Sequence, residues 1–213
     1  MKILIGTPIH QIKDYAIEKW LKNVSDLILE YPADLLLMDN SPGLSYVEKV
    51  KEYCKKYAIK KYQIEHFEIN TKQLTSSEAR SLRVEISQEM IRRKTLKEGY
   101  DGWFSWECDQ IIPTNTLSEM VRLMKAENYM MVVANSWART DPSHLNANMG
   151  VTLISKEGLE KAWFLPERDG KISQDLADSY NADETMFKKR ILKSGGNFVE
   201  IYGVIKPIYH LNK

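Results

Sequence analysis

The sequence predicts an α/β fold, a mainly parallel central sheet flanked by helices, and three observations predict it. Strand-like and helix-like segments alternate strictly through the first half of the chain, the pattern of parallel strands joined by helical crossovers. The strand segments are short apolar runs without polar alternation, as strands buried on both faces require. The 213 residues are 43% hydrophobic and 28% charged, enough for a full core and too apolar for a disordered chain. No internal repeat or low-complexity linker divides them, so residues 1–213 read as a single domain.

The elements follow in order. "KILIG" (Lys2 to Gly6) is a buried strand stopped by Gly6 and Pro8. "YAIEKWLKNVSDLI" mixes apolar and charged residues as a helix does. "DLLLMDN" (Asp34 to Asn40) is the second strand, closed by the turn-like "DNSPG". Val47, Val50, Cys54 and Tyr57 then share one helix face. "YQIEHFEI" is a third strand, and "SSEARSLRVEISQEMIRRKTLKEG" is a long charged helix with a serine placed to cap it and Gly99 at its end. The aromatic strand "GWFSWE" leads to Pro113 and to a helix with Leu117, Met120, Val121 and Met124 in a stripe. "YMMVVAN" and "MGVTLIS" are strands separated by a polar loop. "KEGLEKAWF" and "ADETMFKKRILKSGG" are helices, and "NFVEIYG" is a last strand before the tail "KPIYHLNK".

Charge narrows the function classes. Thirty Lys and Arg against 29 Asp and Glu leave a net charge of +1, which gives no reason to expect nucleic acid as a partner. The lysines of "KEYCKKYAIKKY" read as the wet face of a helix. Cys54 and Cys108 form no CxxC pattern and read as small buried residues in a reducing compartment. No signal-peptide pattern and no apolar run of about 20 residues is present, so a cytoplasmic location is expected, with peripheral membrane contact left open. GxGxxG, GxxxxGK[ST], HExxH and GxSxG are all missing. A nucleotide-phosphate site here must therefore rely on metal and side chains, not on a glycine-rich cradle.

In an open α/β sheet, ligands bind beyond the carboxyl ends of the strands. The polar exits are "GTP", Asp39-Asn40 and Glu107-Cys108-Asp109. Two carboxylates at i and i+2 of an extended segment point to the same side. There they could face one hard divalent cation that is shared with substrate phosphates. His210 is either structural or a ligand, and its apolar frame favours an ordered tail. Asp183 and Glu184 open the last long helix, where acids suit the helix dipole and where a cleft would make one a general base. Arg92 and Arg93 lie in the long charged helix, within which an arginine could take a phosphate in bidentate fashion.

Taken in order, these residues resemble a GT-A fold glycosyltransferase of the family 2-like group, over nearly the whole chain. The resemblance implies a nucleotide-diphospho-sugar transferase fold and transfer of sugar from a UDP- or GDP-sugar to a glycan or other hydroxyl acceptor, with inversion. It places Thr7 and Pro8 of "TPIH" and Asp39 at the nucleotide. It gives the basic position before the metal motif to Arg92, with Arg93 or Arg83 as alternatives. "ECD" resembles the family's DxD motif, with Glu107 in place of its first aspartate. Asp109, Glu107 and His210 would then hold Mn²⁺ or Mg²⁺. "ADETMFKKR" resembles the acidic pair followed by an arginine, so Glu184 is the expected base, with Asp183 beside it. The loops Ser136 to Ala147 and Leu165 to Tyr180 would close over the site. A sugar nucleotidyltransferase and a non-catalytic binding domain on the same fold are the competing readings.

Overall fold

The computed structural model describes residues 1–70, 72–135, 149–165, 167–168, 171–172 and 183–212. Its strands are β1 (Ile3–Ile9), β2 (Asp34–Asp39), β3 (Tyr62–His66), β4 (Gly102–Trp106), β5 (Gln110–Ile111), β6 (Met131–Asn135), β7 (Val151–Ser155), β8 (Glu167–Arg168), β9 (Lys171–Ile172), β10 (Phe198–Tyr202) and β11 (Tyr209–His210). The helices are α1 (Asp14–Glu30), α2 (Ser45–Lys56), α3 (Ser76–Lys97), α4 (Thr116–Ala126), α5 (Lys156–Lys161) and α6 (Asp183–Lys193). A seven-stranded sheet has the order β10-β6-β7-β4-β1-β2-β3. Within it β7 runs antiparallel to both its neighbours, and the other pairs are parallel. The expected mainly parallel α/β sheet is therefore the observed one. Among the described residues no helix is long and apolar enough to cross a membrane.

Alternation along each strand sorts the core into two layers. Ile3, Ile5 and Ile9 of β1, Leu35 and Leu37 of β2 and Phe104 and Trp106 of β4 face the layer that holds Trp20 and Leu21 of α1, Val50 of α2 and Met120 of α4. Leu4, Leu36, Met38 and Trp103 face the opposite layer, with Ile91 of α3, Leu159 of α5 and Phe187 of α6. Side chains of period two with helices on both sides explain why the strands read as continuous apolar runs. Fully burying each large side chain contributes about 1.5–3 kcal/mol.

The aromatic strand β4 is the centre of this packing. Trp106 meets Trp20 edge-on, with ring centroids 5.2 Å apart. The Trp103 indole donates to the carbonyl of Gly6 at 2.9 Å. A Cβ on Gly6 would lie 2.4 Å from Ile91 Cγ2 and 2.6 Å from Trp103 Nε1, so only glycine lets α3 and Trp103 press on β1 at this point.

Helix α3 starts with a capping box. Thr75 Oγ1 accepts from the Glu78 amide at 3.3 Å, and Glu78 Oε2 accepts from the Thr75 amide at 2.8 Å. The cap is thus Thr75, not a serine of the following pair. The buried side of α3 is strongly polar, with Ser87, Gln88, Glu89, Arg92 and Thr95 all buried. That composition suits a helix lying between a sheet and a polar cleft, and it explains why no clean apolar stripe marks it in sequence.

Candidate functional site

Hydrogen bonds within the protein join three strand exits. At the end of β1, His10 Nδ1 accepts from the Ile12 amide at 3.1 Å and caps a short 3₁₀ turn, Gln11–Lys13. At the end of β2, Asp39 is fully buried. Its Oδ1 accepts from Ser41 Oγ at 2.6 Å, and its Oδ2 lies 2.7 Å from His66 Nδ1. Ser41 Oγ in turn accepts from the Gln11 amide at 2.8 Å, so Asp39 fixes the turn that carries Lys13. Thr7, also fully buried, donates from Oγ1 to the carbonyl of Trp106 at 2.8 Å and links β1 to the exit of β4.

Beyond β4 the chain turns. The Gln110 amide donates to the Glu107 carbonyl at 3.1 Å, and the Trp106 indole donates to the Gln110 carbonyl at 2.9 Å. The segment holding Glu107 and Asp109 is therefore a tight turn, not the extended stretch expected, and the same-side argument for its two carboxylates does not hold. Asp109 is 0% exposed. Its Oδ1 accepts from Lys13 Nζ at 2.9 Å, and its Oδ2 accepts from Tyr15 Oη at 3.2 Å. Glu107, whose side chain is 37% exposed, lines the cleft.

The C-terminal segment returns to this turn. β11 pairs antiparallel with β5, placing His210 opposite Gln110. Gln110 Nε2 lies 2.9 Å from His210 Nε2 and 3.0 Å from Glu107 Oε2, and His210 and Glu107 are 3.9 Å apart. The β5–β11 pairing thus brings Glu107, Asp109 and His210 into one neighbourhood. They do not form one open shell, because Asp109 already holds Lys13 and Tyr15. Among the described residues no three His, Cys, Asp or Glu side chains group to hold a metal ion. A divalent ion at Asp109 would have to displace a buried ion pair, and the residues present do not fit it.

A cleft of about 750 Å³ opens at these exits. The exit of β1 contributes Pro8, His10 and Lys13 to its lining, and α3 contributes Arg80, Arg83 and Gln88. Asn40, Glu107 and Glu184 complete its polar lining, with Ile12, Leu74 and Met149 as apolar contacts. Gln88 is 4% exposed and its Oε1 has no hydrogen-bond partner among the described residues, so the cleft contains a buried acceptor awaiting a donor. Burial and the positive charge of Arg83 lower the His10 pKa, while Asp39 works the other way. At Lys13 burial lowers the pKa, but Cys108, Glu107 and Asp109 together raise it further, so the ammonium is held charged. Burial pushes the Cys108 thiol up to about 12, which makes it inert beside these groups.

Of the residues expected at the site, Pro8, Glu107 and Glu184 line the cleft, whereas Thr7, Asp39 and Asp109 stand behind its wall as supports. Asp183 opens α6, one residue before the half-buried Glu184. Arg92 is not among the lining residues. Its guanidinium holds Glu89 at 2.8 and 2.9 Å and donates to the Leu159 carbonyl at 2.6 Å, while Arg93 also binds Glu89 at 2.8 Å. Arg83, the alternative, does line the cleft. Sequence reasoning missed His10, Lys13, Arg80 and Gln88. The first two lie in "TPIHQIKDY", and a histidine and a lysine just past a strand exit were the available signal. The loop Ser136 to Ala147 lies outside the described residues, as does most of Leu165 to Tyr180.

No protein-family model and no curated protein sequence matches the chain. Solved structures do. It is similar to mannosyltransferase PcManGT from Pyrobaculum calidifontis in complex with GDP-Man and Mn²⁺, with TM-score 0.64, 12% identity and 95% of this chain covered. It is also similar to S. aureus TarS 1–349 in complex with UDP-GlcNAc, with TM-score 0.60, 12% identity and the same coverage. A third neighbour, described as a "putative nucleotide-diphospho-sugar transferase" from Desulfovibrio desulfuricans G20, has TM-score 0.51, 11% identity and 95% coverage. The chain spans 55% of the first of these proteins, 58% of the second and 80% of the third. Sheet order, strand directions and these neighbours agree: the chain has the GT-A fold of nucleotide-diphospho-sugar transferases.

Proposed function

We propose that the chain is a glycosyltransferase that moves a sugar from a nucleotide-diphosphate sugar to an acceptor hydroxyl. The observation that carries this reading is one cleft, at the carboxyl ends of the central strands, that combines Arg80, Arg83 and Lys13 with the carboxylate of Glu184. Its volume of about 750 Å³ lies in the range of small-molecule sites. Cations are needed where the donor's diphosphate sits, and a carboxylate is needed where an acceptor hydroxyl loses its proton.

The roles follow from position. Arg80 and Arg83 meet the diphosphate, with planar guanidinium groups suited to paired phosphate oxygens. Asn40 and the buried Gln88 carbonyl offer hydrogen bonds to the nucleoside or the sugar hydroxyls. Asp39 acts at one remove, through Ser41 and the Gln11 amide. As the acceptor oxygen attacks the anomeric carbon, the bond from that carbon to the diphosphate breaks and its electron pair leaves with the nucleoside diphosphate. Glu184 takes the acceptor's proton, with Asp183 as its neighbour in reserve, and a single displacement of this kind inverts the anomeric carbon. These steps need no divalent ion at Asp109, which is engaged with Lys13.

The test is release of UDP or GDP from a panel of UDP- and GDP-sugars, with mono- and disaccharides as acceptors. Glu184→Gln should bind nucleotide as the native chain does and lose most transfer. If Asp183→Asn has that effect and Glu184→Gln does not, the base is Asp183. Nucleotide binding with no turnover of any donor would favour a binding domain on the same fold.

A further inference from the structure

The Lys13–Asp109 pair has more than a structural meaning. A carboxylate with 0% exposure needs a counter-charge, since an unpaired buried ion costs several kcal/mol. Lys13 supplies it at 2.9 Å, from a 3₁₀ turn that is itself held by His10 and by Ser41. The lysine is not sealed in, however. Its side chain is 27% exposed and lines the cleft that Arg80 and Arg83 also line. An ammonium has three donor protons. Among the described residues, Lys13 Nζ gives a hydrogen bond to Asp109. The remaining protons can serve an anion in the cleft.

We infer that Lys13 is the protein's own cation for the donor's diphosphate, standing at Asp109 in the position the acid motif would otherwise offer to a divalent ion. This rests on the nucleotide-sugar reading above. Asp109, itself hydrogen-bonded by Tyr15, holds the ammonium from behind, and the diphosphate takes its front. When the bond between the anomeric carbon and the diphosphate breaks, the electron pair stays on the diphosphate oxygen and its growing negative charge faces Lys13. The lysine keeps all its protons, and the acceptor's proton goes to the cleft carboxylate. A fixed cation aimed at developing charge is the arrangement that stabilises a transition state most. It also makes metal redundant: Mn²⁺ can enter at Asp109 only by expelling Lys13.

The experiment titrates UDP and GDP calorimetrically into the full chain and into Lys13→Met, each in EDTA and in Mn²⁺, with Mn²⁺ binding to the nucleotide-free proteins followed by electron paramagnetic resonance. The native chain should bind one of the two nucleotides equally well in EDTA and in Mn²⁺, and should leave Mn²⁺ free in solution. Lys13→Met should bind that nucleotide roughly tenfold or more weakly in EDTA, the loss expected for one charge-assisted hydrogen bond. It should also take up Mn²⁺ at the vacated carboxylate and regain affinity with it. Because Lys13→Met removes the counter-charge of a buried acid, Lys13→Met/Asp109→Asn serves as the folded reference, weak in both conditions, and Lys13→Arg should retain metal-free binding. Native binding that requires Mn²⁺, with Lys13→Met unchanged, would overturn this proposal while leaving the nucleotide-sugar reading intact. Binding of neither nucleotide under any condition would overturn both.

Discussion

The wall of the cleft and the layer directly behind it are built from the same residue types, and they do different work. Behind the wall, Asp39 and Asp109 are fully buried, and each carboxylate binds groups of the protein itself: Ser41 and His66 for the first, Lys13 and Tyr15 for the second. On the wall, Glu107 and Glu184 are partly exposed to the cleft. The same division runs along α3, where Arg83 reaches the cleft and Arg92 is locked onto Glu89. Acids and bases behind the wall set geometry, whereas those on it are the ones the proposed function brings to the substrate. Type and order in sequence are shared by both groups, so burial and partners have to separate them.

Substitutions can break or sharpen that division. The largest effect expected is on the wall: Glu184→Gln should lower transfer by about 10²–10⁴-fold, the usual contribution of a general base, with its melting temperature unchanged. A fall in stability that accounts for the lost activity would move Glu184 to the supporting layer. Next comes Arg92→Ala, which removes the bidentate partner of the buried Glu89 but leaves it Arg93, and should cost about 1–3 kcal/mol in urea unfolding. Nucleotide affinity of the fraction that remains folded should stay native, and a specific loss of affinity would place Arg92 at the ligand after all. Asp39→Ala strips partners from Ser41 and His66 and should cost about 1–3 kcal/mol, with a smaller loss of nucleotide affinity through the loosened Lys13 turn. Arg83→Ala should leave stability within about 0.5 kcal/mol, as for most surface changes. It should weaken UDP or GDP binding roughly tenfold and reduce its salt dependence, an effect calorimetry at two ionic strengths resolves.

The smallest effect concerns pH. Burial and Arg83 hold the His10 pKa below its ordinary 6.5 in the folded chain. The unfolded chain therefore takes up the proton first as pH falls. The contribution is fully present above pH 6.5 and is lost as pH drops below it toward the folded value. His10→Asn should flatten the pH dependence of melting between pH 7 and 5, whereas an unchanged slope would show that other groups carry it.

Fold and site were legible in the sequence to different degrees, for physical reasons. The five inner strands of the main sheet were readable because burial on both faces leaves apolar runs, the edge strands β3 and β10 because apolar and polar residues mix in short β-rich segments between turns, and the long helices because their faces leave a 3.6-residue stripe. α3 was the exception in pattern, since its buried side carries Ser87, Gln88, Glu89 and Arg92. Its arginines could not be sorted by order alone. Arg83 and Arg92 are nine residues apart, which is two and a half helical turns and about 13 Å, so they point to opposite sides. The metal motif was readable as an acid pair at a strand exit. Its turn was not, because the hydrogen bond from Gln110 to Glu107 and the anchoring by Trp106 are tertiary facts. The Lys13 partnership was also hidden, as 96 residues separate it from Asp109. The β5–β11 pairing brings His210 back over a similar distance, 100 residues from Gln110.

The central claim is that the cleft between the β1 exit and the first turns of α3 receives the donor's diphosphate. Its most direct test is a crystal structure with UDP or GDP bound, grown in EDTA. The expected density places the two phosphates among Arg80, Arg83 and Lys13, with Glu184 across the cleft from them. Phosphates bound elsewhere on the molecule, or turned away from these three cations, would contradict it.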